Sequence, residues 1–128
     1  MYCLRKLKSF HVSSAIMKSF YTSTIESIIC FGITCYGGNL SKQQASKLDR
    51  VIYKSSKIIG CPLPSFTKLL ESSIARKASK IIKDKSHPLN SEYVTSERSG
   101  RLLSKAARTE RFKNSFVPHS IRVLQLLS

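Results

Sequence analysis

The stretch SKQQASKLDRVIYKSSKIIG, residues 41–60, decides how the chain is read. Ser41 followed by Gln44 fits a capping box, with Ser41 as the cap. Ala45, Leu48, Val51, Ile52, Ser55, Ile58 and Ile59 then trace one face at helical spacing. Lys42, Lys47, Arg50, Lys54 and Lys57 occupy much of the rest of the helix. Gly60 ends it, and Cys61-Pro62-Leu63-Pro64 forms a rigid connector with no helical freedom.

On the N-terminal side, Tyr2 to Lys8 (YCLRKLK) reads as a short basic amphipathic turn or two. Ser13 or Ser14 can cap a further helix that runs to about Tyr36 and stops at Gly37-Gly38. Its second half is apolar nearly all round, which predicts a place at the centre of the fold. The β-branched residues Ile25, Ile28, Ile29, Ile33 and Thr34 also allow a strand there; the absence of any turn for over twenty residues favours helix. On the C-terminal side, Phe66, Leu69, Leu70, Ile74, Ala78, Ile81 and Ile82 predict a helix over 65–83, closed by His87-Pro88. Residues 89–100 are polar and read as a loop, and Pro118 suits the first turn of a last helix ending near Leu127. These elements predict an all-α fold, an irregular bundle of about four to five helices with a basic C-terminal segment. Residues 1–86 read as a helical core module, and 87–128 as a basic loop and C-terminal helix packed on it or trailing it.

The chain has 128 residues, 41% of them hydrophobic, which is enough for one core. Its 22 Lys and Arg against 7 Asp and Glu set a formal charge of +15, which favours polyanionic partners and opposes self-association. Nucleic acid is the first candidate and an anionic membrane surface the second. The excess is spread along both halves of the sequence, so it is not a detachable basic tail. The most apolar stretch, Ile25 to Tyr36, is too short to span a bilayer, and the basic opening lacks the apolar run of a leader; both features predict a soluble chain. Cys3, Cys30, Cys35 and Cys61 sit amid apolar residues at irregular spacing, which reads as reduced, intracellular thiols, with Cys30 and Cys35 packed in the core.

Little in the sequence supports chemistry. There are two aspartates, Asp49 and Asp84, and three histidines, His11, His87 and His119. Cys30 and Cys35 have no second Cys/His pair at zinc-finger spacing, and no His-x-Asp or His-x-Glu begins an iron triad. No G-x-S-x-G elbow, G-x-G-x-x-G or Walker loop occurs. Asp49 lies among Lys47, Arg50 and Lys54, and Asp84 between Lys83 and Lys85, so each reads as a local charge partner and not as half of a two-metal centre. His119, after Pro118, reads as a capping or surface histidine. No catalytic residue, metal ligand or cofactor is therefore expected.

The positive signal is basic. Arg98 to Lys113 holds six Lys/Arg and one acid, Glu110. If this segment is helical, Arg98, Arg101, Lys105 and Arg108 share a face at steps of three and four. The candidate nucleic-acid-binding residues are Arg101, Lys105, Arg108, Arg111 and Lys113, with Arg5, Lys6 and Lys8 as a second cluster. Such cations neutralise phosphates without reading bases. Phe112 and Phe116 are the sparse aromatics nearby.

Five ordered, collinear stretches carry a resemblance: YCLRKLKSFHVSS (2–14), FYTSTIESIICFGITCYGG (20–38), LSKQQASKLDRVIYKSSKIIG (40–60), HPL (87–89) and RLLSKAARTERFKNSFVPHSI (101–121). Together with the closing helix they resemble the C-terminal region of vertebrate non-LTR (LINE-type) retrotransposon reverse transcriptases. The resemblance implies thumb-like and trailing helices that lie after the polymerase palm and support template and primer. The palm and its F/Y-x-D-D motif are not in this sequence, so the resemblance implies a fragment without polymerase activity, from a truncated or degenerate copy. The first forty or so residues also resemble a segment known as the N-terminal domain of an AlkB-type tRNA-modifying homologue, but the iron ligands and the glycine-rich nucleotide loop of a dioxygenase or methyltransferase are missing.

Three functional expectations follow. The first is sequence-independent binding to the backbone of RNA or an RNA–DNA hybrid. The second is a structural or docking module whose apolar helix meets the absent reverse transcriptase palm or another protein surface, with no membrane partner. The third, an AlkB-associated enzyme, lacks the residues it needs.

Overall fold

A computed structural model describes residues 2–127. The fold is all-α: α1 (Tyr2–Ser9), α2 (Ser14–Tyr21), α3 (Ser27–Cys30), α4 (Ile33–Tyr36), α5 (Lys42–Ile59), α6 (Phe66–Lys83), α7 (Glu110–Lys113) and α8 (Phe116–Leu127). Contacts group the chain into two units, one of residues 1–33 and 40–69, the other of 34–39 and 70–128. The grouping divides α6, which begins in the first unit and continues in the second.

The first unit is built on α5. Its capping box is complete: Gln44 N–H donates to Ser41 Oγ at 3.2 Å, and Ser41 N–H donates to Gln44 Oε1 at 3.0 Å. Gly60 ends the helix at φ 82, a left-handed conformation open to glycine at no steric cost. The helices α1 and α2 pack on α5 and on each other. Leu4, Met17, Tyr21 and Ile59 form the buried cluster, ringed by Leu7, Val12, Phe20, Ile25, Ile58, Cys61 and Leu63. The link from α1 to α2 is a Schellman turn. His11 takes the left-handed position at φ 58, its N–H donates to Lys8 O, and Val12 N–H donates to Leu7 O. Ser13 is the α2 cap, accepting from Ile16 N–H.

The single helix expected over 13–36 is interrupted. Residues Thr22–Glu26 form a π-helical stretch. The cause lies in the hydroxyl run TSTIES: Ser23 Oγ donates to Ser19 O, Thr24 Oγ1 to Phe20 O, and Ser27 Oγ to Ser23 O. Hydroxyls that bond back onto the helix carbonyls compete with the i to i−4 ladder and loosen the turn. Phe31 is extended and Gly32 is left-handed at φ 67, so α3 ends before α4 starts. The stretch is also not central: Ile29 and Ile33 are buried, but Ile28 is 75% and Phe31 87% exposed.

In the second unit, the buried side chains come from α6 (Leu70, Ile74, Ala78 and Ile81) and from α8 (Ile121 and Val123). Ser120 is buried with them and serves two partners, donating to Val117 O and sharing a hydrogen bond with the Tyr93 hydroxyl, each at 2.8 Å. Asn90 Nδ2 donates to Ile81 O and Ile82 O, closing the C-terminal end of α6. Gly38 is packed so closely that a Cβ would lie 2.2 Å from Asn114 O and 2.8 Å from His119 Nδ1.

Two further expectations change. Cys3 and Cys35 are exposed, and Cys30 and Cys61 half-buried, with Cys61 packed against the buried cluster; neither Cys30 nor Cys35 is a fully buried core residue. The core places go instead to longer side chains that reach the cluster from α1 and α2. The aspartates are hydrogen-bond acceptors for backbone, not charge partners of the neighbouring lysines. Asp49 Oδ1 accepts from Phe66 N–H at 3.0 Å, across seventeen residues, and so caps the start of α6. Asp84 Oδ1 accepts from Ser86 N–H and Ser86 Oγ, which hold its carboxyl below the usual range.

Candidate nucleic-acid interface

The basic C-terminal segment does not form a helical face. Residues 94–103 make a hairpin-like turn: Leu103 N–H donates to Val94 O and Ser96 N–H to Arg101 O, both at 2.8 Å, around the left-handed Gly100. An antiparallel bridge joins Thr95 and Leu102. Gln125 Nε2 on α8 donates to Leu102 O at 2.6 Å and holds this backbone extended. The stepped face expected of Arg98, Arg101, Lys105 and Arg108 is therefore absent, because a glycine turn and a tertiary hydrogen bond outcompete local helix formation. Regular structure resumes at α7, where Thr109 Oγ1 accepts from Phe112 N–H.

The five C-terminal candidates divide accordingly. Arg101, Arg108 and Arg111 are exposed; Arg111 is on α7, and the other two are on irregular backbone. Lys105 is half-buried and paired with Glu92. Lys113 lies 4.0 Å from Glu110. Lys105 and Lys113 do come together, lining a hollow of about 330 Å³ with Glu110 and Arg122. Arg122 was not predicted from the sequence. It stands alone on an apolar helix, and only the fold brings it beside the two lysines. Its Nη2 donates to Asn114 Oδ1 at 3.3 Å. The two lysines of this hollow thus face carboxylates that offset their charge, and Arg122 is held by a neutral amide. The neighbouring His119 is half-buried within α8. Burial, with Arg122 second, depresses its imidazole below the usual histidine range, against an opposing pull from Glu71.

In the first unit, Arg5, Lys6 and Lys8 are all exposed on α1. Lys6 Nζ sits 5.8 Å from the centre of the exposed Tyr2 ring. Leu4 anchors the same helix in the core, so the three cations ride on a fixed element.

The cations of α5 belong with these. Lys42, Lys47, Arg50, Lys54 and Lys57 are exposed, and Tyr53 among them is 60% exposed. Lys57 Nζ lies 5.1 Å from the Tyr53 ring centre, and its hydrogen bond with Tyr53 holds the ammonium above the usual lysine range. Lys42, Gln43, Ser46, Lys47 and Arg50 line a hollow of about 310 Å³. In the sequence these cations lie on the non-apolar face of α5, with a lower charge density than residues 98–113.

Across the chain, twenty of the 22 Lys and Arg are exposed, and two ion pairs form among the described residues. No group of three or more His, Cys, Asp or Glu that could hold a metal ion forms among them, and none of their helices is long and apolar enough to cross a membrane. Comparison with family models, with curated proteins and with solved structures finds no match to this chain.

Proposed function

We propose that this chain is a non-catalytic, post-palm segment of a non-LTR retrotransposon reverse transcriptase that grips nucleic-acid backbone without reading sequence. The observation that carries the reading is the exposed, largely unpaired cation set: twenty side chains face solvent against seven acids in the whole chain. A polyanion releases counterions when it meets such a surface, and that release drives association without base contacts. RNA or an RNA–DNA hybrid is the partner that the family resemblance adds. The test is the affinity of the full chain for an RNA–DNA hybrid measured against salt. Each phosphate contact contributes roughly −0.7 to −0.9 to the log–log slope. A slope steeper than about −2 supports the reading, and a shallower one means that few phosphates are engaged.

A second reading rests on Ile28 and Phe31, which are 75% and 87% exposed. Large apolar side chains this open suit a docking surface for a protein, the polymerase palm of the parent enzyme or another partner. Size-exclusion chromatography at high salt separates the two readings. A monomer that binds nucleic acid at low salt favours backbone binding, and salt-insensitive oligomers favour docking.

A further inference from the structure

We propose that α5 carries a single-strand nucleic-acid site, in which Lys47, Arg50, Lys54 and Lys57 engage successive phosphates and Tyr53 stacks on a base. The inference rests on the backbone-binding reading and adds to it a location and a strand preference.

The geometry is that of one regular helix. Steps of three, four and three residues keep the four cations within a sector of about 80° and spread them over ~15 Å of axis. All four are exposed, and none forms an ion pair among the described residues. The one acid on α5, Asp49, is turned to another task, accepting from Phe66 N–H. The ridge therefore keeps its full charge, unlike the hollow at Lys105 and Lys113. It is also held in place. The capping box and Gly60 secure both helix ends, and Ile52, Ser55 and Ile59 are buried on the other face. Rigid presentation lowers the ordering cost of each phosphate contact.

Tyr53 selects the form of nucleic acid. Its ring is 60% exposed beside the ridge, with the Lys57 ammonium 5.1 Å from its centre. A base can stack on such a ring only if its own face is free, as in a single strand; in a duplex the faces are occupied by neighbouring base pairs. Tyr2 and Lys6 repeat the same four-residue arrangement on α1, with the Tyr2 ring 72% exposed. An anionic bilayer is the poorer ligand, because interfacial helices insert their apolar face, and that of α5 is already covered by α1 and α2.

The test uses the full chain and three probes: a fluorescent oligothymidylate, a duplex of equal length, and phosphatidylserine-containing vesicles. Two sets of variants are compared, Tyr53→Ala with Tyr53→Phe, and the fourfold Lys47→Gln, Arg50→Gln, Lys54→Gln, Lys57→Gln chain. Circular dichroism confirms that each stays helical, as expected for exposed positions. Tyr53→Ala is expected to weaken oligothymidylate binding about tenfold and leave duplex binding unchanged, while Tyr53→Phe retains wild-type affinity. The fourfold variant is expected to reduce the salt slope for the single strand by about 3, at roughly 0.7 per phosphate. Unchanged affinity and slope in the fourfold variant overturn the α5 site while backbone binding by the wild type still stands. Equal losses on strand and duplex from Tyr53→Ala, or tighter binding to vesicles than to the strand, also overturn it. A wild-type chain that binds neither nucleic acid removes both this site and the function proposed above.

Discussion

Tyr21 is the most informative single position for the stability of the first unit. Its side chain is fully buried in the cluster with Leu4, Met17 and Ile59, yet its hydroxyl has no hydrogen-bond partner among the described residues. A buried hydroxyl that gives up water and gains nothing costs about 1–3 kcal/mol. Tyr21→Phe removes the cost and keeps the ring. The oxygen leaves a small void, worth a few tenths of a kcal/mol at ~24 cal/mol per Å³. The net expectation is a gain of about 1 kcal/mol. For 128 residues at ~2.1 cal/mol/K each, that gain raises Tm by about 4 °C. Tyr21→Ala is the control for the ring and should lose about 3–5 kcal/mol.

The hydroxyl also gives Tyr21 an alkaline signature. Burial, with Glu26 and Cys30 adding to it, pushes the phenol from 10.0 up to about 12. The unfolded chain releases this proton near pH 10 and the folded chain near pH 12, so raising pH through that window favours unfolding. Wild type should lose up to about 3 kcal/mol relative to Tyr21→Phe between those limits, and nothing relative to it below them. Urea denaturation followed by circular dichroism at neutral and alkaline pH measures both effects. A Tyr21→Phe chain no more stable than wild type at pH 7 would mean that the hydroxyl is satisfied, and the reasoning would fail.

Two further substitutions test the packing. Asp49→Ala removes the acceptor of the first α6 N–H and should cost about 1 kcal/mol, whereas Asp49→Asn keeps an oxygen at Oδ1 and should recover most of it; equal losses in urea melts would refute the capping role. Gly38→Ala drives a Cβ into Asn114 O and the His119 ring, so the melt should fall by about 1–3 kcal/mol, and an unchanged melting temperature would contradict the close approach.

The helical identity of α5 and α6 was legible because two local signals agree there. A 3.6-residue apolar period runs for four to five turns, and Ser41, Gln44 and Gly60 mark the ends of α5. The exposure of the basic residues followed from charge alone, since a cation left in the core would lack solvation. The π-helical break at 22–26 was in principle readable from its hydroxyls. Apolar periodicity continues through it, and periodicity says nothing about carbonyls captured by side chains.

The C-terminal segment shows the limit. Spacing alone allowed Arg98, Arg101, Lys105 and Arg108 a common helical face, but Gln125, more than twenty residues away, takes the Leu102 carbonyl and Gly100 turns the chain. The same holds for Asp49, which sits among lysines in sequence and caps a distant helix in space. By itself the sequence determined the helix class, the ends of α5 and the net charge of +15, all of which depend on neighbours within a few residues or on composition. Tertiary structure alone decided that Lys105 is matched by Glu92 and that Arg122 stands beside Lys105 and Lys113 in one hollow. The meetings of Lys105 with Glu92 and with Arg122 join residues more than ten apart in the chain, and no local pattern encodes them; the Glu110–Lys113 pair, three residues apart on α7, is the local exception.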